Sequence, residues 1–353
     1  MSILIKNGRI WDGERFFRGD ILTEDDRIAE IAPHIDAAAK YIYDAQSMTV
    51  TPGLVDTHIH IRGISSDSFG ISAEMACLPF GVTAACDAGG GHGSHVAFSR
   101  SAVKSVVFAD SCVANNHLNP LVTRRNLALY GKYAVGIKMF YDIGTKKKIW
   151  DITPLQEVCA FAREHGVKVL VHCNHSPTSM VSIVEALAPG DILTHIYHGG
   201  ENNCLEDDFA AFRLAREKGV VLDSGFAGHV HTDFSVLRKS VEAGFLPDTI
   251  STDLTQSSAY KRGGRYGLPM AMSMARTAGM EEEAIFRAVT STPAKALGQS
   301  WGRLEVGGTA DIAVLDYTNE PFSLTDKAGS VLESSMGYRC KLTVADGVVL
   351  FRD

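Results

Sequence analysis

No stretch of these 353 residues approaches the roughly 18 to 20 consecutive apolar side chains that a bilayer-spanning helix requires, so no membrane partner is expected. The opening MSILIKNGR also lacks the apolar centre and cleavage site of a secretory leader, and the chain is read as cytoplasmic. Its seven cysteines are scattered, odd in number and without a CxxC pair, which argues against a disulfide framework and for free thiols. Positive charge is short as well. With a formal net charge of -7, no excess of Lys and Arg exists to neutralise phosphates, so nucleic acid is not an expected partner. The one basic cluster, Lys146 to Lys148, reads as a solvated loop. GGGHG at 89–93 lacks the Gly-Lys-Ser/Thr ending of a phosphate loop. Internal repeats and low-complexity linkers are missing too.

What the chain has is two kinds of patterning. The first fifty residues alternate apolar and polar, with a polar turn at 24–26, and the last fifty do the same in DIAVLDY and KLTVADGVVLF, where Asp346-Gly347 suits a two-residue hairpin. Residues 1–50 and 300–353 are therefore expected to build one small β-sandwich domain from both chain ends. Between them, short apolar runs alternate with helical stretches. Eight runs qualify as strands: 53–61, 81–89, 104–112, 134–142, 166–174, 191–199, 219–225 and 248–254. The clearest helices are TPLQEVCAFAREHG, with Thr153 as cap and Gly166 as stop, and LEDDFAAFRLAREKG, ending at Gly219. Eight such units over residues 51–299 have the size of a (β/α)8 TIM barrel, which makes the fold class α/β.

Functional groups of such a barrel belong at the C-terminal ends of its strands. His58 and His60 end the first run, Lys138 lies late in the fourth, His172 ends the fifth, His195 the sixth, and Asp253 the eighth. Residues i and i+2 of a strand share a face, so His58 and His60 can reach one ion. Each of these residues alone has a bland reading. Four imidazoles, a lysine and a carboxylate at equivalent ends of five strands have a chemical one, because imidazole and carboxylate are the usual ligands of catalytic zinc. Lys138 is the odd member. Its ammonium either escapes along the barrel or, beside cations, must become an anion.

This constellation resembles the amidohydrolase superfamily, in the branch with two metals and a carboxylated lysine. VTPGLVDTHIH at 50–60 and TSTPAKALGQSWGRLEVGGTADIAVLD at 290–316 carry the likeness at the two barrel boundaries. GVTAACDAGGGHG, GHVHTDFSV and GFLPDTISTDLT are similar to the dihydroorotase-like deacetylases. The resemblance implies two divalent metals, zinc foremost: His58, His60 and Asp253 on the buried ion, His172 and His195 on the more exposed one. It implies N6-carboxylysine at Lys138 as the bridge and a bridging hydroxide whose proton Asp253 accepts as the catalytic residue. Homo-oligomers are common for the fold.

Candidate substrate contacts are less distinctive. Arg62 makes HIHIR, similar to the His-x-His-x-Arg with which dihydroorotases hold a carboxylate, and is otherwise a loop arginine. Asn115 and His117 end the third run; His175 and His198 each follow a ligand histidine by three residues; His229 and His231 follow the seventh. STDLTQSS lacks the histidine that dihydroorotases carry after the aspartate. The expectation is a hydrolase opening an amide, cyclic amide or acyl ester of a small carboxylate-bearing metabolite. A true cyclic amidase of the dihydroorotase or hydantoinase type is the alternative, and a catalytically silent structural relative is the non-enzyme one.

Overall fold

Alternating apolar residues at both chain ends need a common partner. The computed structural model, which describes residues 1–61, 69–89, 95–143, 148–227, 230–261 and 266–353, gives them one sheet. Its path runs Val348–Arg352, Gly337–Ala345, Ile312–Thr318, Thr49–Pro52, Ser2–Trp11, Phe16–Glu24, Arg27–Ala32, and Tyr41–Asp44 pairs in parallel with Ser2–Trp11. Ile3 and Ile5 face inward at period two, and a register shift between Ile5 and Gly8 re-phases the strand so that Ile10 joins them. Ile21, Ile28, Val314, Leu342 and Val344 complete that core. Because it holds residues from both ends of the path, the sheet folds over itself. The expected turn is there: Asp346 and Gly347 have φ of 47° and 70°, the positive pair a two-residue hairpin needs.

The middle of the chain forms a parallel sheet in the order Leu54–Ile59, Val82–Asp87, Lys104–Asp110, Ala134–Phe140, Lys168–His172, Ile192–Thr194, Val221–Asp223. The eighth run closes it without becoming a regular strand. Isolated bridges join Thr249 to Asp223 and Leu254 to Ile59, and Asp253 N donates to His58 O at 2.7 Å. Two local causes prevent a longer ladder: Asp253 has φ of 48°, and the side chains of Thr249, Ser251 and Thr252 bond buried carboxylates. With α-helices between several strands, the result is the expected α/β barrel.

The helices differ from expectation at their starts. In Thr153–Glu164, Thr153 is the first helical residue and Asp151 does the capping work, its Oδ1 accepting from Thr153 N at 2.9 Å. The other expected helix is shorter than its pattern, Ala210–Lys218, because Asp207, Asp208 and Phe209 have φ of 48°, 52° and 61°. Gly166 and Gly219 end the two helices with positive φ, as expected. One C-terminal segment leaves the small sheet. Phe322–Thr325 and Val331–Ser334 pair only with each other, and Asp326 Oδ2 accepts from Phe234 N on the helix Phe234–Glu242.

Candidate metal centre

The hydrogen bonds around His58, His60 and His195 decide which ring nitrogen faces the barrel mouth. Thr194 Oγ1 donates to Asp223 Oδ2 at 2.6 Å, so it accepts from His58 Nδ1–H at 2.9 Å. His60 Nδ1–H donates to Gly89 O at 2.6 Å and His195 Nδ1–H to Gly225 O at 2.8 Å. All three rings thus carry their proton on Nδ1. Three Nε2 lone pairs are left, the arrangement metal-binding imidazoles adopt when a partner fixes the far nitrogen.

Those lone pairs converge on Asp253. Its Oδ1 lies 3.1 Å from His58 Nε2 and 3.0 Å from His60 Nε2; its Oδ2 lies 4.0 Å from His195 Nε2 and 3.5 Å from His231 Nε2. Lys138 Nζ is 3.3 Å from His58 Nε2 and wholly buried. His172 packs its ring against His195 and His231, with centroids 4.5 and 5.0 Å away, and its Nε2 is 3.7 Å from Asp142 Oδ2. His195 and Asp253 sit at φ of 62° and 48°, a conformation costing about 1–3 kcal/mol for such residues and kept where surroundings over-determine it.

Burial opposes protonation at three of these imidazoles. Burial pushes His172 down to about 3 and His231 to about 4, and holds His195 well below the ordinary imidazole range. Burial opposes the charge on Asp253, but the adjacent His58, His60 and His195 outweigh it and keep the carboxyl well below its usual range. Burial brings Lys138 down to about 8, against the opposing pull of Asp253. Two triads have ligand atoms within 4.8 Å of one another: His172, His195 and His231; and His58, His195 and Asp253. His195 Nε2 and His231 Nδ1 are buried with no hydrogen-bond partner among the described residues. Orphaned nitrogens in such a cluster have the chemistry of vacant ligands, so the donor set fits divalent cations.

The other sequence-derived candidates fall elsewhere. Arg62 and His229 lie outside the described residues. His117 is exposed and held by Glu157 Oε1 at 2.9 Å, and neither it nor Asn115 lines the cavity of about 190 Å³ beside Asp253. His198 is buried, its Nδ1 accepting from Gly200 N and its Nε2 lying 3.8 Å from Cys173 Sγ. His175 borders a neighbouring cavity. His231, which follows the seventh run, enters the cluster itself. Asp223 was missed. It accepts from Thr57, Thr194, Thr249 and Ser251 hydroxyls at 2.6 to 3.0 Å, and only its strand-end position could have pointed to it.

A barrel with imidazoles and a carboxylate at its strand ends defines a metal-dependent hydrolase scaffold, and sequence comparison agrees. The amidohydrolase family matches residues 49–350, and the chain belongs to it. A deacetylase of Brucella anthropi is 29% identical over 337 residues, covering 88% of this chain and 83% of the relative. Two solved structures share the fold: a dihydroorotase with TM-score 0.84, 24% identity and coverage of 99% and 97%, and an adenine deaminase with TM-score 0.85, 23% identity and 99% of both chains. The protein is accordingly a hydrolase of carbon–nitrogen bonds in the class that uses divalent metals and small-molecule substrates. Among the described residues, no helix is long and apolar enough to cross a membrane.

Gly225 tests the geometry. It has φ of 47°, and a Cβ there would lie 2.4 Å from Thr194 Oγ1 and 2.5 Å from His195 Nδ1. Gly225→Ala is expected to displace His195 and lower metal affinity roughly 10- to 100-fold. Metal content after dialysis, measured alongside circular dichroism, checks this; wild-type retention would remove Gly225 from ligand positioning.

Proposed function

We propose that the protein binds two divalent metals, zinc first among them, and hydrolyses an amide, cyclic amide or acyl ester of a small carboxylate-bearing metabolite. The observation that carries this reading is the convergence of three Nδ1-protonated imidazoles, two further histidines and a buried Lys138 on Asp253. His58, His60, His172, His195, His231 and Asp253 are the residues that would hold the ions, with Lys138 between them as N6-carboxylysine. A lysine pushed down to about 8 has an appreciable neutral fraction near physiological pH, and the neutral amine is the form that adds to CO2. When bound, such ions supply Lewis acidity toward a carbonyl and make water a stronger acid.

The chain's own groups supply the rest. Asp253, kept ionised, accepts the attacking water's proton at Oδ2 and returns it to the departing nitrogen or oxygen. Phe69, Phe140 and Val230 wall the cavity and restrict bulk water. The relatives support either an acyl hydrolase or a ring-opening amidase, and the missing histidine after Asp253 favours the first.

Two measurements test this. Lys138→Ala is expected to lose at least one tightly bound metal and nearly all activity; two retained metals with full activity would sink the lysine's role. A mass-spectrometric screen of N- and O-acetylated acids of both hands against dihydroorotate and hydantoins then assigns the bond. Turnover confined to the cyclic set would make the protein a cyclic amidase instead.

A further inference from the structure

The hairpin Phe322–Thr325 and Val331–Ser334 lies in the C-terminal β region of the sequence, yet its turn sits at the barrel mouth. Buried Asp326 fixes it there. Its Oδ2 accepts from Phe234 N and its Oδ1 from Ser330 N, both at 2.8 Å, while Arg238 Nη2 donates to Val331 O at 2.9 Å. The residue next to this anchor is Lys327. It is exposed and has no hydrogen bond or ion pair among the described residues. With Asn174, His175, Gly200 and Asp233 it borders a cavity of about 240 Å³, and this cavity shares Val230 and His231 with the one beside Asp253.

Asn174 is the second observation. Its side chain is only 7% exposed, borders the same cavity, and makes no hydrogen bond among the described residues. Its amide is open to water in that cavity, so its N–H donors are free to meet a ligand acceptor there. The acidic side chain in this wall does not stand against an anion unopposed. Asp233 Oδ1 accepts from Ser235 N, Ser235 Oγ and Val236 N, and its charge faces a helix N-terminus.

We propose that Lys327, Asn174 and His175 form the subsite for a carboxylate of the substrate, one cavity away from the bond cleaved beside Asp253. This rests on the hydrolase reading above and adds to it how the acid is recognised. The ammonium supplies the charge and range, and the amide supplies directional donors at shorter reach. It also gives the C-terminal hairpin a part in substrate choice.

The test uses metal-loaded full-length protein with N-acetylalanine and O-acetyllactate of both hands and dihydroorotate, each beside its neutral carboxamide. Binding is read by calorimetric titration of the slow Asp253→Asn protein, turnover by mass spectrometry of the wild type. The acid should bind about tenfold tighter than its carboxamide or better. Lys327→Met, in either background, should remove that preference through KM with kcat within about threefold, and Lys327→Arg should restore most of it. Half-molar salt should weaken acid binding unless Lys327 is absent. An acid preference that survives Lys327→Met, or none in the parent protein, overturns the subsite. Acids bound through Lys327 but never hydrolysed would leave the subsite standing and sink the proposed substrate class.

Discussion

Asp253→Asn is expected to lower kcat/KM about a thousandfold, within the range that positioned acid–base groups contribute. The substitution suits the question because Asn tolerates the positive φ at this position and keeps the shape of the side chain. The backbone bond from Asp253 N to His58 O has no reason to change. The charge does. Removing it leaves His58 and His60 facing a neutral amide at 3.1 and 3.0 Å, and no group in that position can take a proton near neutral pH. Steady-state kinetics, metal analysis and circular dichroism together separate the effects. A variant that keeps two metals and more than about a tenth of the wild-type rate would show that another group moves the proton.

The second large effect is expected at Asp223, which touches no substrate. Burial pushes this carboxyl up, but the adjacent His58 and the bonds from Thr194 and Thr249 together bring it below the ordinary aspartate value. Asp223→Asn puts an NH2 where four hydroxyl donors meet. One acceptor oxygen is left for four hydroxyls, so two of them lose their acceptor, and the network that holds Thr194, and through it His58 Nδ1–H, is broken. We expect a stability loss of about 3 kcal/mol, the scale for breaking a buried charge network, with roughly 10- to 100-fold weaker metal binding.

The pH dependence has a definite sign. A carboxyl whose folded value is depressed adds stability above its unfolded value of about 3.9 and loses it as pH falls through the folded value. In urea titrations of metal-free protein, the gap between wild type and variant should therefore be full at pH 6 and shrink only below about pH 4. Equal midpoints at pH 6 would mean that Asp223 is not ionised in the fold. Asp56 makes the opposite contribution, because burial raises it to about 7 and its ionisation weakens the fold as pH rises toward that value.

The barrel was legible because its strands are continuous apolar runs, and the clustering of imidazoles near Asp253 because strand ends are where such a fold gathers polar groups. That rule put His58, His60 and Asp253 at one end of the barrel, and only the family resemblance grouped them. His231 was harder. The described residues 224–227 and 230–233 form no regular strand, so period-two spacing could not assign it a face. Asp223 was hidden for a different reason: Thr57, Thr194, Thr249 and Ser251 come from separate segments, and no local pattern announces that their hydroxyls meet on one carboxylate. Lys327 lies in a stretch that alternates like the rest of the C-terminal sheet. The anchoring of Asp326 on Phe234 N and of Val331 O by Arg238 brings it to the barrel mouth.

The small sheet has a consequence for how the protein is made. Ile312–Thr318 inserts between Thr49–Pro52 and Gly337–Ala345, so an early strand pairs on one side with a segment synthesised more than 250 residues later. While the ribosome elongates the barrel, the Thr49–Pro52 edge and the apolar face of Ser2–Trp11 wait uncovered, a template for pairing with other nascent chains. Truncation before Ile312 should accordingly yield aggregates that capture their own N-terminal strands, even though the missing segment is far in sequence from the histidine cluster.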